Sequence, residues 1–249
     1  MKKNYYTILL LLTLGVLTMH AGERSKFDHH IVAGFNFGAS SPFPLPSEVR
    51  AIDGYWPMFT PRLGYSITYN ATPTWSVKSG IQLDLKGMGV RDKVKYMYTE
   101  VVMDGTEITG YFVGKNQTEV KASYITVPVT VQYRINDKWS VNAGGYASYR
   151  SSSEFTGTVW DGYLRDGEEI IASMKLEIPD KGDAEFSFGK EMRNFDFGWI
   201  VGADCQLNDR FSLYSNLNWG LTPIFKSSFK GIQFDMYNIY LSVGIAYNL

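Results

Sequence analysis

From Met58 to Asn70 the chain alternates: Phe59, Leu63, Tyr65, Ile67 and Tyr69 fall on one face, and Thr60, Arg62, Gly64, Ser66 and Thr68 on the other. A period of two belongs to a β-strand, because successive side chains leave a pleated backbone on opposite sides. The pattern recurs seven more times, which places strands near 30–39, 58–70, 74–87, 121–135, 138–150, 195–207, 210–222 and 236–249. Helical spacing is hard to find after residue 30.

The connections are of two kinds that alternate. "NATP" from Asn70, "NDK" from Asn136 and "NDR" from Asn208 are tight turns, whereas the other four links are long. An up-and-down meander with this rhythm gathers every long loop at one end of the sheet and places both termini at the other. After each tight turn a similar unit returns: "TWSVKSGIQL" from Thr74, "KWSVNAGGYASYR" from Lys138 and "RFSLYSNLNW" from Arg210.

Eight antiparallel strands that leave no edge for aggregation form a closed barrel. The polar face is rich in small uncharged residues, among them Gly34, Asn36, Gly64, Ser66, Ser140, Asn142, Ser212 and Ser242. It suits the crowded interior of a small barrel, which has room only for side chains. The other face is aliphatic in the middle, with Ile81, Leu83, Val127, Val129, Val131, Leu213, Leu217 and Val243. Its ends are aromatic: Tyr69, Trp75, Tyr133, Trp139, Phe211 and Tyr247 at the short-turn end, and Phe37, Phe59, Tyr149, Phe195, Phe197, Trp219 and Tyr237 toward the loops. An apolar band between aromatic girdles is the outside of a transmembrane barrel. The expected fold is all-β, an eight-stranded antiparallel up-and-down transmembrane β-barrel with short periplasmic turns and long extracellular loops.

A charged start, "MKKN", an apolar run from Ile8 to Leu17 and then small residues read as a secretory signal. This divides the chain into a signal peptide, 1–21, and a barrel domain, 22–249. A net charge of −1 offers no basic excess for nucleic acid, and Cys205, the single cysteine, can form no internal disulfide or cysteine-rich metal site.

At "YITVPVTVQY", Tyr124 to Tyr133, followed by "INDKWSVNAGGY", the sequence resembles the PorT-like outer-membrane β-barrel family. Val127-Pro128 matches the family's aliphatic-proline pair and Gln132-Tyr133 its strand end. The resemblance implies the bacterial outer membrane, termini in the periplasm, and for the family's namesake a part in protein secretion. Pro128 cannot donate to a ladder, so a bulge or one missing bond is expected there.

Chemistry has little foothold. The histidines are His20, in the signal, and His29 and His30 before the first strand, away from the loop end. Neutral-pH proton transfer favours histidine, so no catalytic residue, cofactor or metal is assigned. Inward charges at Arg62, Lys78, Asp84, Lys86, Arg150, Asp196 and Asp204 read as a lumen network in which opposite charges satisfy each other. An Asp84–Asp196 carboxylate pair is the catalytic alternative. With Tyr69 facing Trp75, Arg62 lies diagonal to Asp84; Lys78 and Asp204 complete the network's core.

The segment 151–194 carries ten acidic and five basic residues, with Phe155, Trp160 and Tyr163 as candidate recognition aromatics. "KYMYTEVVMDGTEITGYFVGK", from Lys95, reads as a hairpin around Asp104-Gly105. The expectation is a non-enzymatic, monomeric outer-membrane barrel. It contacts outer-membrane lipids and binds or assembles cell-envelope or secretion-system proteins through its loops. A small-solute channel and a lipid-modifying enzyme without histidine are the alternatives.

Overall fold

The computed structural model describes residues 26–166 and 175–249. The signal-segment reading of residues 1–21 and the middle of the acidic segment lie outside them. Among the described residues there are eleven strands: β1 (Phe27–Pro42), β2 (Val49–Pro57), β3 (Pro61–Asn70), β4 (Trp75–Met103), β5 (Thr106–Arg134), β6 (Trp139–Asp166), β7 (Lys175–Ile178), β8 (Ala184–Ser187), β9 (Phe195–Gln206), β10 (Phe211–Gly220) and β11 (Met236–Asn248).

All belong to one antiparallel sheet. From β1 the pairing passes to β3, β4, β5, β6, β9, β10 and β11, and β11 pairs again with β1. The path closes on itself, so these strands leave no free edge at the short-turn end.

The tight turns share one mechanism, and it accounts for the repeated unit. Asn136 Oδ1 accepts from the N–H of Lys138 at 2.9 Å and of Trp139 at 2.8 Å. Asn208 Oδ1 accepts from Arg210 and Phe211, each at 2.9 Å. Thr72 Oγ1 accepts from Trp75 at 2.9 Å. In each case a short polar side chain mimics a backbone turn, and the aromatic three residues on opens the next strand. The β3–β4 turn corrects the expected register. Ala71 and Thr72 both donate to the Trp75 carbonyl, so Tyr69 pairs with Val77, and Arg62 lies directly opposite Asp84. At Pro128 the β4–β5 ladder has a gap opposite Gly80 and resumes in the same register, which is the missing bond and not the bulge.

Toward the short-turn end the outward face is apolar and the inward face polar. On β4, Ile81, Leu83 and Leu85 are exposed outward while Gln82, Asp84 and Lys86 are buried. Beyond Leu85 the assignment inverts on the same strand: Arg91, Lys93 and Lys95 face out, and Met88, Val94 and Met97 are buried. On β5, outward Val131, Val129, Val127 and Ile125 give way to Lys121, as inward Thr130 and Thr126 give way to Val120 and Phe112. A bulge at Tyr96, which has a φ of 58°, resets the phase so that Met97 still points inward.

The inversion marks the start of a second body. β4 and β5 run on as a ribbon to Met103 and Thr106, joined by Asp104 and Gly105, both at positive φ as a two-residue hairpin turn requires. β2 pairs with β4 beyond the end of β3. β8 pairs with both β4 and β6, so β4, β5, β6 and β8 close a smaller ring above the larger one. Its interior holds fully buried Val101, Phe112, Val159, Leu164, Ile178 and Ala184. Residues 151–166 therefore continue a strand, which corrects the reading of 151–194 as one loop.

Candidate functional site

Three polar layers fill the larger ring. Nearest the short turns, Lys78 Nζ lies 3.7 Å from Asp204 Oδ1, and Gln132 donates to Asp204 Oδ2 at 2.8 Å. Above this, Arg62 Nε is 3.2 Å from Asp84 Oδ1, which also accepts from Asn36 at 3.2 Å, and the Arg62 guanidinium donates to Gln82. The structure thus pairs Arg62 with Asp84 along neighbouring strands and Lys78 with Asp204 across the lumen. Arg150 lies at the margin, donating to the carbonyls of Met192 and Arg193.

The uppermost layer closes the lumen. Lys86 Nζ is 3.2 Å from Asp196 Oδ2 and sits 4.7 Å, 5.2 Å and 5.7 Å from the ring centroids of Tyr124, Tyr146 and Tyr240. Asp196 Oδ2 also accepts from Tyr146 at 3.2 Å and Asn238 at 2.9 Å. A cation among aromatic faces and a hydrogen-bonded carboxylate is stabilised where bare burial would be costly. Asp84 and Asp196 each hold their own cation, so the two do not act as a carboxylate pair.

Above Lys86 the chemistry changes abruptly. A cavity of about 270 Å³ lies between this plug and the smaller ring. Met88, Met236, Phe155, Phe186 and Phe188 line it, together with Asp92, Thr99, Asn116 and Thr118. Leu45, Ile52 and Tyr55 line it and are also exposed, so they form its rim. Burial pushes the Asp92 carboxyl up to about 6, against the opposing effect of the Asn116 amide.

The candidate recognition aromatics separate. Phe155 is buried, with the Phe225, Phe186 and Phe188 ring centroids 4.9 Å, 6.2 Å and 6.2 Å away, so it is a core residue and cannot present itself to a partner. Trp160 and Tyr163 are half-buried on the smaller ring, capped by Lys181 at 4.8 Å and Lys175 at 4.4 Å. The short-turn aromatics form a belt: Trp75–Tyr133 and Phe211–Tyr247 pack as tilted pairs with ring centroids 4.8 Å and 5.2 Å apart, Tyr69 packs tilted against Phe27 at 5.2 Å, and Trp139 is exposed. His29 and His30 lie at this same end, His29 Nδ1 being 2.5 Å from Tyr65 Oη. The sequence reading missed Asp92 and the cavity, whose alternation it assigned to a loop.

No curated protein is a significant match to the chain. Among solved structures, the attachment invasion locus protein Ail of Yersinia pestis is similar at 10% identity, covering 90% of this chain and 97% of that one, with a TM-score of 0.37. The toluene transporter TbuX of Ralstonia pickettii is similar at 10% identity over 91% of this chain and 78% of that one, with a TM-score of 0.20. The translocator domain of the autotransporter NalP from Neisseria meningitidis is similar at 8% identity over 98% and 94%, again with a TM-score of 0.20. The model of the outer membrane protein beta-barrel domain matches residues 21–226, and the chain belongs to that family.

Proposed function

We propose that this outer-membrane protein is a non-enzymatic, monomeric binding component, an eight-stranded barrel with its termini in the periplasm and the smaller ring outside the cell. Membership of the family places the chain in the bacterial outer membrane. The observation that carries the binding reading is the second ring. A membrane anchor needs strands of about ten residues, yet β4 and β5 are 29 residues each and bury a separate core. Its exposed flank, with Lys93, Lys95 and Lys121, faces water and is available to a cell-envelope partner. A secretion-system protein is the partner that the PorT-like resemblance implies.

The layer at Lys86 speaks against the channel alternative, because eight strands leave a bore that their own side chains fill. Among the described residues the histidines, His29 and His30, lie at the short-turn end, which speaks against an enzyme using histidine on the other side. Single-channel recording of the purified barrel in planar bilayers tests the reading. The expected result is no steady conductance; a stable open pore overturns it in favour of the channel.

A further inference from the structure

The cavity above the plug holds a carboxylate that has no counter-ion among the described residues. Asp92 points inward from β4, is 9% exposed, and its buried Oδ1 has no hydrogen-bond partner. Among the described residues it forms no ion pair, and the charge that acts on it, Asp53, has the same sign. Its polar neighbours are neutral: the Asn116 amide, which donates to Thr118 Oγ1 at 3.1 Å, also favours the carboxylate but brings no charge to it. A buried charge without a counter-ion is costly, and proteins ordinarily pair it or neutralise it. The rest of the lining is apolar and includes Met88, Met97, Phe155 and Phe186.

Size sets the class of molecule. A dry engineered cavity of about 150 Å³ holds benzene, so about 270 Å³ admits an aromatic ring with a short chain. The exposed Leu45, Ile52 and Tyr55 give an apolar body a way in from the side. We propose that this cavity is a binding site for a small hydrophobic amine, its ammonium donating to Asp92 Oδ1 and its carbon body lying against Met88, Phe155 and Phe186. The inference goes beyond the protein-binding reading above, because it assigns a small-molecule site to the cavity and not to the lysine flank.

The test uses the full chain in lipid nanodiscs and isothermal titration with 2-phenylethylamine, with 2-phenylethanol as the uncharged counterpart. Two variants are compared: Asp92→Asn, which keeps the shape, and Ala39→Phe, which fills the cavity from β1. Folding is checked by heat-dependent gel mobility, and Val90→Phe replaces Ala39→Phe if that variant does not fold. The expected result is saturable amine binding at one per chain. Asp92→Asn weakens it at least tenfold and leaves the alcohol unchanged, while the filling variant abolishes both. Absence of saturable amine binding, equal amine affinity in Asp92→Asn, or undiminished binding in the filled variant overturns the inference. Absence of amine binding with a closed lumen leaves the broader binding reading standing, whereas an open pore in the bilayer recording overturns that reading itself.

Discussion

Lys86 on β4 and Asp196 on β9 meet across the lumen at 3.2 Å, joining strands that are not neighbours in the ring. Both side chains are about 6% exposed, so neither can recruit water if the other is removed. Lys86→Met leaves Asp196 charged and buried, and the barrel should lose about 3–5 kcal/mol against unfolding. Lys86→Met combined with Asp196→Asn should recover much of that loss, because no uncompensated charge remains. Urea unfolding in detergent, followed by gel mobility, reads both. A double variant no more stable than the single one would show that packing of the three tyrosines, and not charge, sets the cost.

Phe155 separates the two bodies energetically. It packs among Phe186, Phe188 and Phe225 and lines the cavity, beyond the polar layers of the larger ring. Phe155→Ala should destabilise that region by about 3–5 kcal/mol. Limited trypsin digestion should then cut at Lys175 and Lys181 on the β7–β8 segment while the barrel keeps its folded gel mobility. Trp139→Ala, on an exposed ring at the short-turn end, should leave the digestion pattern at these sites unchanged.

The larger ring was legible because two solvents wrote the pattern. Lipid demands an apolar outer face and a narrow lumen demands small polar groups, so Leu63, Tyr65 and Ile67 could be assigned outward without coordinates. The upper body obeys the opposite rule, with Arg91 and Lys93 outward and Met88 and Val94 inward. There the alternation persists but its sense changes, and a reader who expects a loop after Met88 loses the strand. Phe155 shows the same failure: among Glu154, Thr156 and Gly157 it resembles an exposed loop aromatic, and only continuation of β6 turns it inward. The pairing of Arg62 with Asp84 followed from proximity along adjacent strands, though a two-residue difference at the turn moved it from diagonal to directly opposite. The Lys86–Asp196 and Lys78–Asp204 pairs span the lumen, and no local register reveals a contact across a barrel.

The inversion can be measured by charge insertion. Val129 is outward, 54% exposed and central in the apolar stretch of β5 between Ile125 and Tyr133. Val129→Arg should cost about 2–4 kcal/mol in lipid vesicles, as expected of an arginine near the bilayer midplane. Glu119→Arg, outward on the same strand but beyond the apolar stretch, should change stability by less than about 0.5 kcal/mol. Equal costs at the two positions would place the membrane boundary elsewhere.

Asp92 lies beyond Leu85 on β4, where the strand has left the apolar belt, and its carboxyl is pushed from 3.8 up to about 6 by burial, with Asp53 adding to the shift and Asn116 opposing it. A raised carboxyl binds its proton more tightly in the folded state than in the unfolded one. The associated stability is therefore fully present below about pH 3.8, and it is lost as pH rises through about 6. A shift of this size corresponds to about 3 kcal/mol between the two extremes. The upper body should accordingly resist denaturant better at pH 4 than at pH 7, opposite to the usual behaviour of a paired surface carboxylate. Asp92→Asn removes the titrating group and should flatten the difference while keeping the high stability at both pH values. Urea titrations between pH 4 and 7.5, read by hydrogen exchange of the β4–β5 amides beyond Leu85, make the comparison. Superimposable curves for the wild-type chain and Asp92→Asn would mean that the buried carboxylate is neutralised in the native state by a group outside the cavity.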